Sequence, residues 1–281
     1  MAEIEVVEQI IKERPELQAP LELHKTILIA QNHLRESHSM GTNVNWKDKS
    51  IIKNLQQKAC NSNQPIATSL SVDIFDSHAL IQTYEKLGDM LIEKGIGEGW
   101  IKKLSEEMRS GRINILDASG AALKEDNGFF QAYGKKFDAD PALMLFIISS
   151  LIQPCLEEIA NNVERSFLDG WWQAQCPVCG RLPFVARLKA RKRYLVCPLC
   201  TAEYLADMFL CVSCGNVEPD TLKFLAPSEH PEFRLDFCEK CRHYLKVIDE
   251  DRLKTQLPKG LEDIMTLELD FMAKSEGLVR V

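Results

Sequence analysis

The sequence predicts an α+β protein. A mainly α-helical N-terminal domain spans 1–169, two four-cysteine metal ribbons span 170–207 and 208–250, and a C-terminal helix lies within 251–281. Three observations predict this. Apolar residues recur at helical spacing through most of the first 167 residues. From Gln175 to about Asp249 that spacing gives way to short β-like runs alternating with four Cys-x-x-Cys pairs. Helical spacing returns after Pro258.

Ile4, Val7, Ile10 and Ile11 define a first helix, punctuated by Pro15. Leu21, Ile27 and Leu34 mark a second after Pro20. Residues 39–66 are polar and Asn-rich, so part is expected as loop, with a short helix over Ile51–Lys58. Leu80, Tyr84, Leu87 and Leu91 predict a helix over Asp76–Lys94 that Gly95 and Gly97 break. Trp100, Ile101, Leu104 and Met108 form another stripe, closed by Gly111. Ile113–Lys136 is ambiguous, because Gly120, Gly128 and Gly134 interrupt its apolar residues. Asp140-Pro141 reads as N-cap and first helical position of a helix running to about Phe167.

The expected strands are Phe184–Leu188, Arg193–Val196, Tyr204–Ala206 and Leu222–Leu225. The last helix draws on Leu261, Ile264, Leu267 and Leu269. Trp171 and Trp172 are candidates for packing the helices onto the ribbons, and Leu225–His230 is either a contact loop or a long hairpin connection.

The pairs Cys176/Cys179, Cys197/Cys200, Cys211/Cys214 and Cys238/Cys241 use eight of the ten cysteines. A Cys-x-x-Cys turn delivers two sulfurs to one side of a tetrahedral ion, so four pairs fit two four-thiolate sites. Three groupings are open. Sequential grouping leaves 17 residues between the first two pairs and 23 between the last two, near ribbon spacing. Gly180 and Gly215 each follow a pair, and sequential grouping gives each site one such glycine. That favours one ion on Cys176, Cys179, Cys197 and Cys200 and another on Cys211, Cys214, Cys238 and Cys241. A closed four-sulfur site has no open position for substrate, so the sites read as structural. Zinc and iron both accept such ligation, and the sequence leaves the choice open.

The net charge of −7 argues against a protein built mainly to coat nucleic acid. The N-terminus lacks the charged and apolar regions of a secretory signal. The longest apolar run, Ala142–Ile152, is too short to cross a bilayer and reads as a buried core helix. A soluble cytoplasmic protein is expected, in a compartment that keeps thiols reduced.

The cluster Arg187, Lys189, Arg191, Lys192 and Arg193 has two readings: a nucleic-acid patch on a zinc ribbon, or a solvated hairpin tip offsetting thiolate charge. Residues 171–250 hold 11 Lys/Arg against 10 Asp/Glu, which favours the hairpin tip because nucleic-acid modules are clearly basic. His24, His33, His38, His78, His230 and His243 are scattered, with His243 close enough to Cys241 to support it or simply lie at the surface. Cys60 and Cys155 read as small residues in or near the core. Gly-rich phosphate loops, Gly-x-Ser-x-Gly and His-Glu-x-x-His are absent, and no catalytic residue is assigned.

The order Cys-Pro-Val-Cys-Gly (176–180), Arg-Tyr-Leu-Val-Cys-Pro-Leu-Cys (193–200), Cys-Val-Ser-Cys-Gly (211–215) and Cys-Glu-Lys-Cys-Arg-His-Tyr-Leu-Lys-Val-Ile-Asp (238–249) resembles the formate dehydrogenase accessory proteins of the FdhE type. Arg14-Pro15-Glu16-Leu17 and Pro258–Gly277 extend the resemblance outward. It implies rubredoxin-like ribbons holding two metal ions, Zn or Fe, on the eight paired cysteines. It also implies a non-enzymatic cytoplasmic assembly factor that binds the catalytic subunit of formate dehydrogenase. Partner-binding residues stay unassigned, a homodimer is one open assembly, and membrane and nucleic acid are not expected partners. The competing readings are a zinc-ribbon nucleic-acid-binding protein and a rubredoxin-like electron-transfer protein.

Overall fold

The computed structural model describes residues 2–36, 41–253 and 257–281; His38 lies outside them. The chain forms two compact units, one of 1–49 with 69–159, the other of 50–68 with 160–281.

The first unit is helical. It holds α1 (Ala2–Glu13) and α2 (Gln18–Glu36). The segment after Gly41 leads into α3 (Lys49–Ser62), all but the first residue of which belongs to the second unit. The first unit resumes with α4 (Ser77–Glu93), α5 (Ile101–Arg109), α6 (Ile115–Leu123), α7 (Asn127–Phe137) and α8 (Pro141–Asn162). Asp76 caps α4 by accepting the N–H groups of His78 and Ala79 at 3.0 and 3.1 Å. The ambiguous stretch 113–136 is two helices, α6 and α7. Its glycines mark close packing rather than breaks: a Cβ at Gly120 would lie 2.8 Å from Val72 Cγ1, and one at Gly134 2.9 Å from the Ala139 carbonyl.

Helix α8 is the core of this unit, burying Met144, Ile147, Ile148, Leu151, Ile152, Cys155 and Leu156. At 22 residues it is longer than the apolar run in the sequence, and it is the one described helix long and apolar enough to cross a membrane. Pro154 sits inside it and supplies no N–H to the Ser150 carbonyl one turn back. The side chain of buried Gln31, on α2, donates to that carbonyl at 2.9 Å, which satisfies the acceptor the proline leaves open. The expected continuation to Phe167 stops at Asn162, and a separate short helix, α9 (Arg165–Asp169), follows.

The second unit is built on one seven-stranded sheet. Its strands are β1 (Val185–Lys189), β2 (Lys192–Val196), β3 (Glu203–Ala206), β4 (Leu222–Leu225), β5 (Phe233–Cys238), β6 (His243–Asp249) and β7 (Val279–Arg280), in the order β3-β2-β1-β6-β5-β4, with β7 also on β6. Strands β1–β3 and β4–β6 are each an antiparallel meander, and the two meanders join through the parallel pair β1–β6. Strands β5 and β6 were not among those expected from sequence, although Phe233, Leu235 and Phe237 alternate as a strand requires. Residues 226–232 are the hairpin connection between β4 and β5.

The C-terminal segment forms two helices, α10 (Glu262–Met265) and α11 (Leu267–Ser275), rather than one. Leu269, Ala273 and Leu278 pack with Val185, Phe233, Leu235, Tyr244 and Ile248 of the sheet. Lys246 is fully buried on β6 and pairs with Asp270 at 2.8 Å and with Asp263. Burial opposes the Asp263 charge, but Lys246 and Arg280 outweigh it and hold the carboxyl below its ordinary range.

Candidate metal centres

The four Cys-x-x-Cys pairs have one backbone form. In the first, the Gly180 N–H donates to the Cys176 carbonyl at 2.9 Å, and the Cys176 N–H donates to the Arg181 carbonyl at 2.9 Å. Thr201, Gly215 and Arg242 donate to Cys197, Cys211 and Cys238 in the same way, at 3.2, 2.9 and 2.8 Å. The residue after each pair has positive φ: Gly180 85°, Thr201 54°, Gly215 72° and Arg242 62°. Every turn therefore needs the left-handed conformation, and glycine meets that need in only two of them.

The pairs meet in the sequential grouping. Cys176, Cys179, Cys197 and Cys200 form one cluster, Cys211, Cys214, Cys238 and Cys241 the other, with all sulfurs of a cluster within 4.8 Å of one another. Across the first cluster the Sγ–Sγ separations are 3.5 Å (Cys176–Cys200) and 3.2 Å (Cys179–Cys197). Across the second they are 3.6 Å (Cys211–Cys241) and 3.9 Å (Cys214–Cys238). A disulfide would need about 2.05 Å. Metal–sulfur bonds of about 2.3 Å in a tetrahedron put sulfurs about 3.8 Å apart, so the donor sets fit one tetrahedral ion each.

The meander topology explains the convergence. In each module a strand (β2 or β5) runs into the second pair, and the next strand (β3 or β6) leaves it. The two-strand hairpin before that returns the chain beside the first pair.

Hydrogen bonds reach the sulfurs. The Leu199 and Cys200 N–H groups both lie 3.4 Å from Cys197 Sγ, and the Asn216 side chain donates to Cys238 Sγ at 3.4 Å. Burial works against a charged Cys197, but the neighbouring thiols and the Cys200 N–H outweigh it and hold this thiol well below its ordinary value. Burial likewise opposes the charge on Cys238, yet the Cys241 N–H, the Asn216 side chain and the Lys240 N–H bring it down to about 7.

The centres differ in cover. The four cysteines of the first are 0–4% exposed. Residues 66–67 close over it: the Ile66 and Ala67 N–H groups donate to the Pro177 and Val178 carbonyls at 2.9 and 2.8 Å, and Pro65 packs 3.4 Å from the Cβ position of Gly180. Tyr204 is buried alongside, its hydroxyl donating to the Ala174 carbonyl at 2.6 Å. In the second centre Cys214 is exposed and Cys241 half-buried. Loaded protein treated with a chelator at neutral pH should therefore release metal in two phases, one equivalent quickly from the second centre and one slowly. A colorimetric metal indicator reads this, and Cys214→Ser should remove the fast phase alone.

Other expected sites resolve differently. Arg187 and Arg193, expected at a solvated hairpin tip, are 2% and 3% exposed. Only the tip itself, Arg191 and Lys192, lies open to solvent, after a turn in which Ala190 and Arg191 both have positive φ. Arg187 pairs with Glu250 and Glu262, approaches Glu203 at 3.5 Å, and donates to the Leu257 carbonyl at 3.2 Å. Lys189 pairs with Glu203 at 2.7 Å. Of the basic cluster, Arg187 and Lys189 thus meet carboxylates within the same unit and Arg193 donates to the Leu210 carbonyl at 2.9 Å. Cys155 is buried as expected, its thiol pushed up to about 11 by burial, whereas Cys60 is exposed. Trp171 is buried against Phe167, while Trp172 is 73% exposed. His243 is half-buried with its Nδ1 3.0 Å from the Cys241 carbonyl.

No protein-family model matches the chain. It is 35% identical over 219 residues to the FdhE homolog of Aquifex aeolicus (strain VF5), covering 76% of this chain and 72% of that relative. It is 28% identical over 189 residues to the FdhE homolog of Enterobacter sp. (strain 638), covering 64% of this chain and 60% of that one. With the FdhE homolog of Shewanella baltica (strain OS185) the match is 30% over 109 residues, 37% and 36% of the two chains. The crystal structure of the FdhE protein from Pseudomonas aeruginosa shares the fold, with a TM-score of 0.65 over 99% of this chain and 91% of that one at 19% identity. The sequence relationship to the Aquifex aeolicus protein, which covers 76% of this chain and 72% of that relative, places the chain in the FdhE family.

Proposed function

We propose that this chain is a non-enzymatic, cytoplasmic accessory protein that binds the catalytic subunit of formate dehydrogenase during maturation. Its eight clustered cysteines would hold two ions, Zn or Fe, that shape the docking surface. The observation that carries the reading is the pair of closed four-sulfur clusters within an FdhE-type chain. Four protein ligands leave an ion no position for substrate, so each ion supplies cross-linking of the fold. Reduced thiols are needed to load both clusters, which fits a cytoplasmic setting.

The nucleic-acid reading loses its patch, because Arg187, Lys189 and Arg193 are spent on internal partners. The electron-transfer reading requires iron and would show as a visible thiolate-to-iron spectrum in natively produced protein.

Affinity capture tests the main reading. The tagged, metal-loaded chain should retain the formate dehydrogenase catalytic subunit from cells making both, and a deletion strain should lose formate dehydrogenase activity. Absence of capture together with normal activity in the deletion strain would overturn it.

A further inference from the structure

The two centres have the same ligands under different cover, and the cover decides which of them an oxidant can reach. Oxidation selects cysteines that are thiolates and open to solvent. Ligation makes thiolates of all eight, so access is what separates them. In the first centre every cysteine is 0–4% exposed, beneath residues 65–67. In the second, Cys214 is exposed and Cys241 half-buried. Cys211 and Cys238 are buried, but both line a surface cleft between the loop after β3 and strand β4.

A second sulfur stands close to Cys214. Cys238 Sγ lies 3.9 Å from Cys214 Sγ. A disulfide needs about 2.05 Å, so a closure of about 2 Å would join them. Cys238 is 1% exposed and so lies inward of Cys214. An oxidant arriving from solvent leaves its oxygen on the outer side of the Cys214 sulfur. Displacement of that oxygen then comes from the inner side, where Cys238 stands.

The segment carrying Cys211 and Cys214 relies on the cluster for its place. Residues 207–218 contain no helix or strand. The cysteine turn within them closes on itself, Cys211 N–H to the Asn216 carbonyl and Gly215 N–H to the Cys211 carbonyl. Outside that turn, Arg193 on β2 holds the Leu210 carbonyl at 2.9 Å, and the Asn216 side chain reaches Cys238 Sγ at 3.4 Å. Lys240 meets Glu218 at 2.7 Å on the surface, where an ion pair contributes little. When bound, the ion adds the strongest cross-link between this segment and the end of β5.

We infer that the second centre is a peroxide-sensitive switch, opened by a disulfide between Cys214 and Cys238 while the first centre stays loaded. The Cys214 thiolate attacks one peroxide oxygen; the O–O bond breaks, a sulfenic acid forms and hydroxide leaves. The Cys238 thiolate attacks the Cys214 sulfur; the S–O bond breaks, the S–S bond forms and a second hydroxide leaves. Two thiolates and one peroxide thus give one disulfide and two hydroxide ions, each sulfur losing one electron. Two of the four sulfurs leave ligation, and the remaining pair holds metal too weakly to keep it. Residues 207–218 then come away from the end of β5, taking Met208 and Phe209 from their place across the cleft from Phe224. The switch requires the two centres and no partner, so it stands apart from the accessory role.

The full chain loaded with zinc is the probe, because zinc has no redox chemistry and every electron then comes from sulfur. Hydrogen peroxide is added in small excess, the protein is desalted, and retained zinc is counted by elemental analysis, so that no chelator competes. One of the two zinc equivalents should be lost, and peptide mapping by mass spectrometry should show Cys214 joined to Cys238. Hydrogen exchange should rise over residues 207–218 and stay unchanged over 65–67 and 176–200. A dithiol with added zinc should restore the starting state. Cys214→His keeps a zinc ligand at the exposed position but leaves no thiol there to oxidise. It should hold two zinc ions and lose the second at least about tenfold more slowly under peroxide. Cys60→Ser, which removes the exposed thiol outside both clusters, should respond as wild type does. Retention of both ions, loss of both together, a disulfide that omits Cys214 or Cys238, or equally fast loss in Cys214→His overturns the inference. Should Cys214→His load only one zinc, the wild-type zinc count and disulfide map decide.

Discussion

Cys176→Ser is expected to unfold the second unit. The residue is fully buried in the covered cluster, and its hydroxyl replacement is a poor ligand in a site that solvent cannot complete. A structural zinc contributes folding free energy on the order of 10 kcal/mol, comparable with the whole stability of an ordinary domain. The loss should extend to residues 50–68, which belong to the same unit and hydrogen-bond to the first cysteine turn through Ile66 and Ala67. Hydrogen exchange should show protection lost over α3 and the sheet and kept over α8, whose core lies in the first unit. Cys214→Ser, at an exposed ligand, should lose one equivalent of metal and leave β1–β3 protected. Retention of both metals and of α3 protection in Cys176→Ser would refute the ligand assignment and the extent of the unit.

Arg187→Met is expected to cost about 3–5 kcal/mol, because it leaves buried carboxylates without their cation. Glu262 is 4% exposed, and Glu250 and Glu203 stand beside it around the same guanidinium. Burial disfavours the charged guanidinium, but Glu262 and Glu250 outweigh it and keep Arg187 ionised in the native protein. Chemical denaturation at pH 7 should show the full deficit. Adding Glu262→Gln should recover part of the loss at pH 7. No recovery would show that Arg187 acts through packing alone.

Much of this was readable in the residues. The four Cys-x-x-Cys turns were legible because each is a local device that fixes its own geometry through hydrogen bonds within six residues, and spacing and glycine placement favoured the sequential grouping that the clusters have. Helical stripes such as Leu80, Tyr84, Leu87 and Leu91 were legible because one face of α4 is buried. The reading failed where a residue's meaning depends on a distant neighbour. Gly120 and Gly134 looked like breakers, but they are points of close approach inside helices. Arg187 and Arg193 looked like solvated charges, yet their acceptors come from residues 16–75 positions away. Strand β6 was hidden because buried Lys246 interrupts its apolar run, and Lys246 is tolerated only because Asp263 and Asp270 meet it.

The sequence by itself determined the class of the protein and singled out its chemically distinctive residues: helices first, then eight cysteines in four Cys-x-x-Cys pairs, a pattern set by short-range turns and apolar period. Only the tertiary structure decided how the two modules are joined and how differently they are exposed. Parallel pairing of β1 with β6 makes one sheet of two meanders, and a loop from residues 63–68 seals one cluster while the other stays open. Those outcomes depend on pairings between segments far apart in the chain. Their energy comes from burial and hydrogen bonds that no local pattern records.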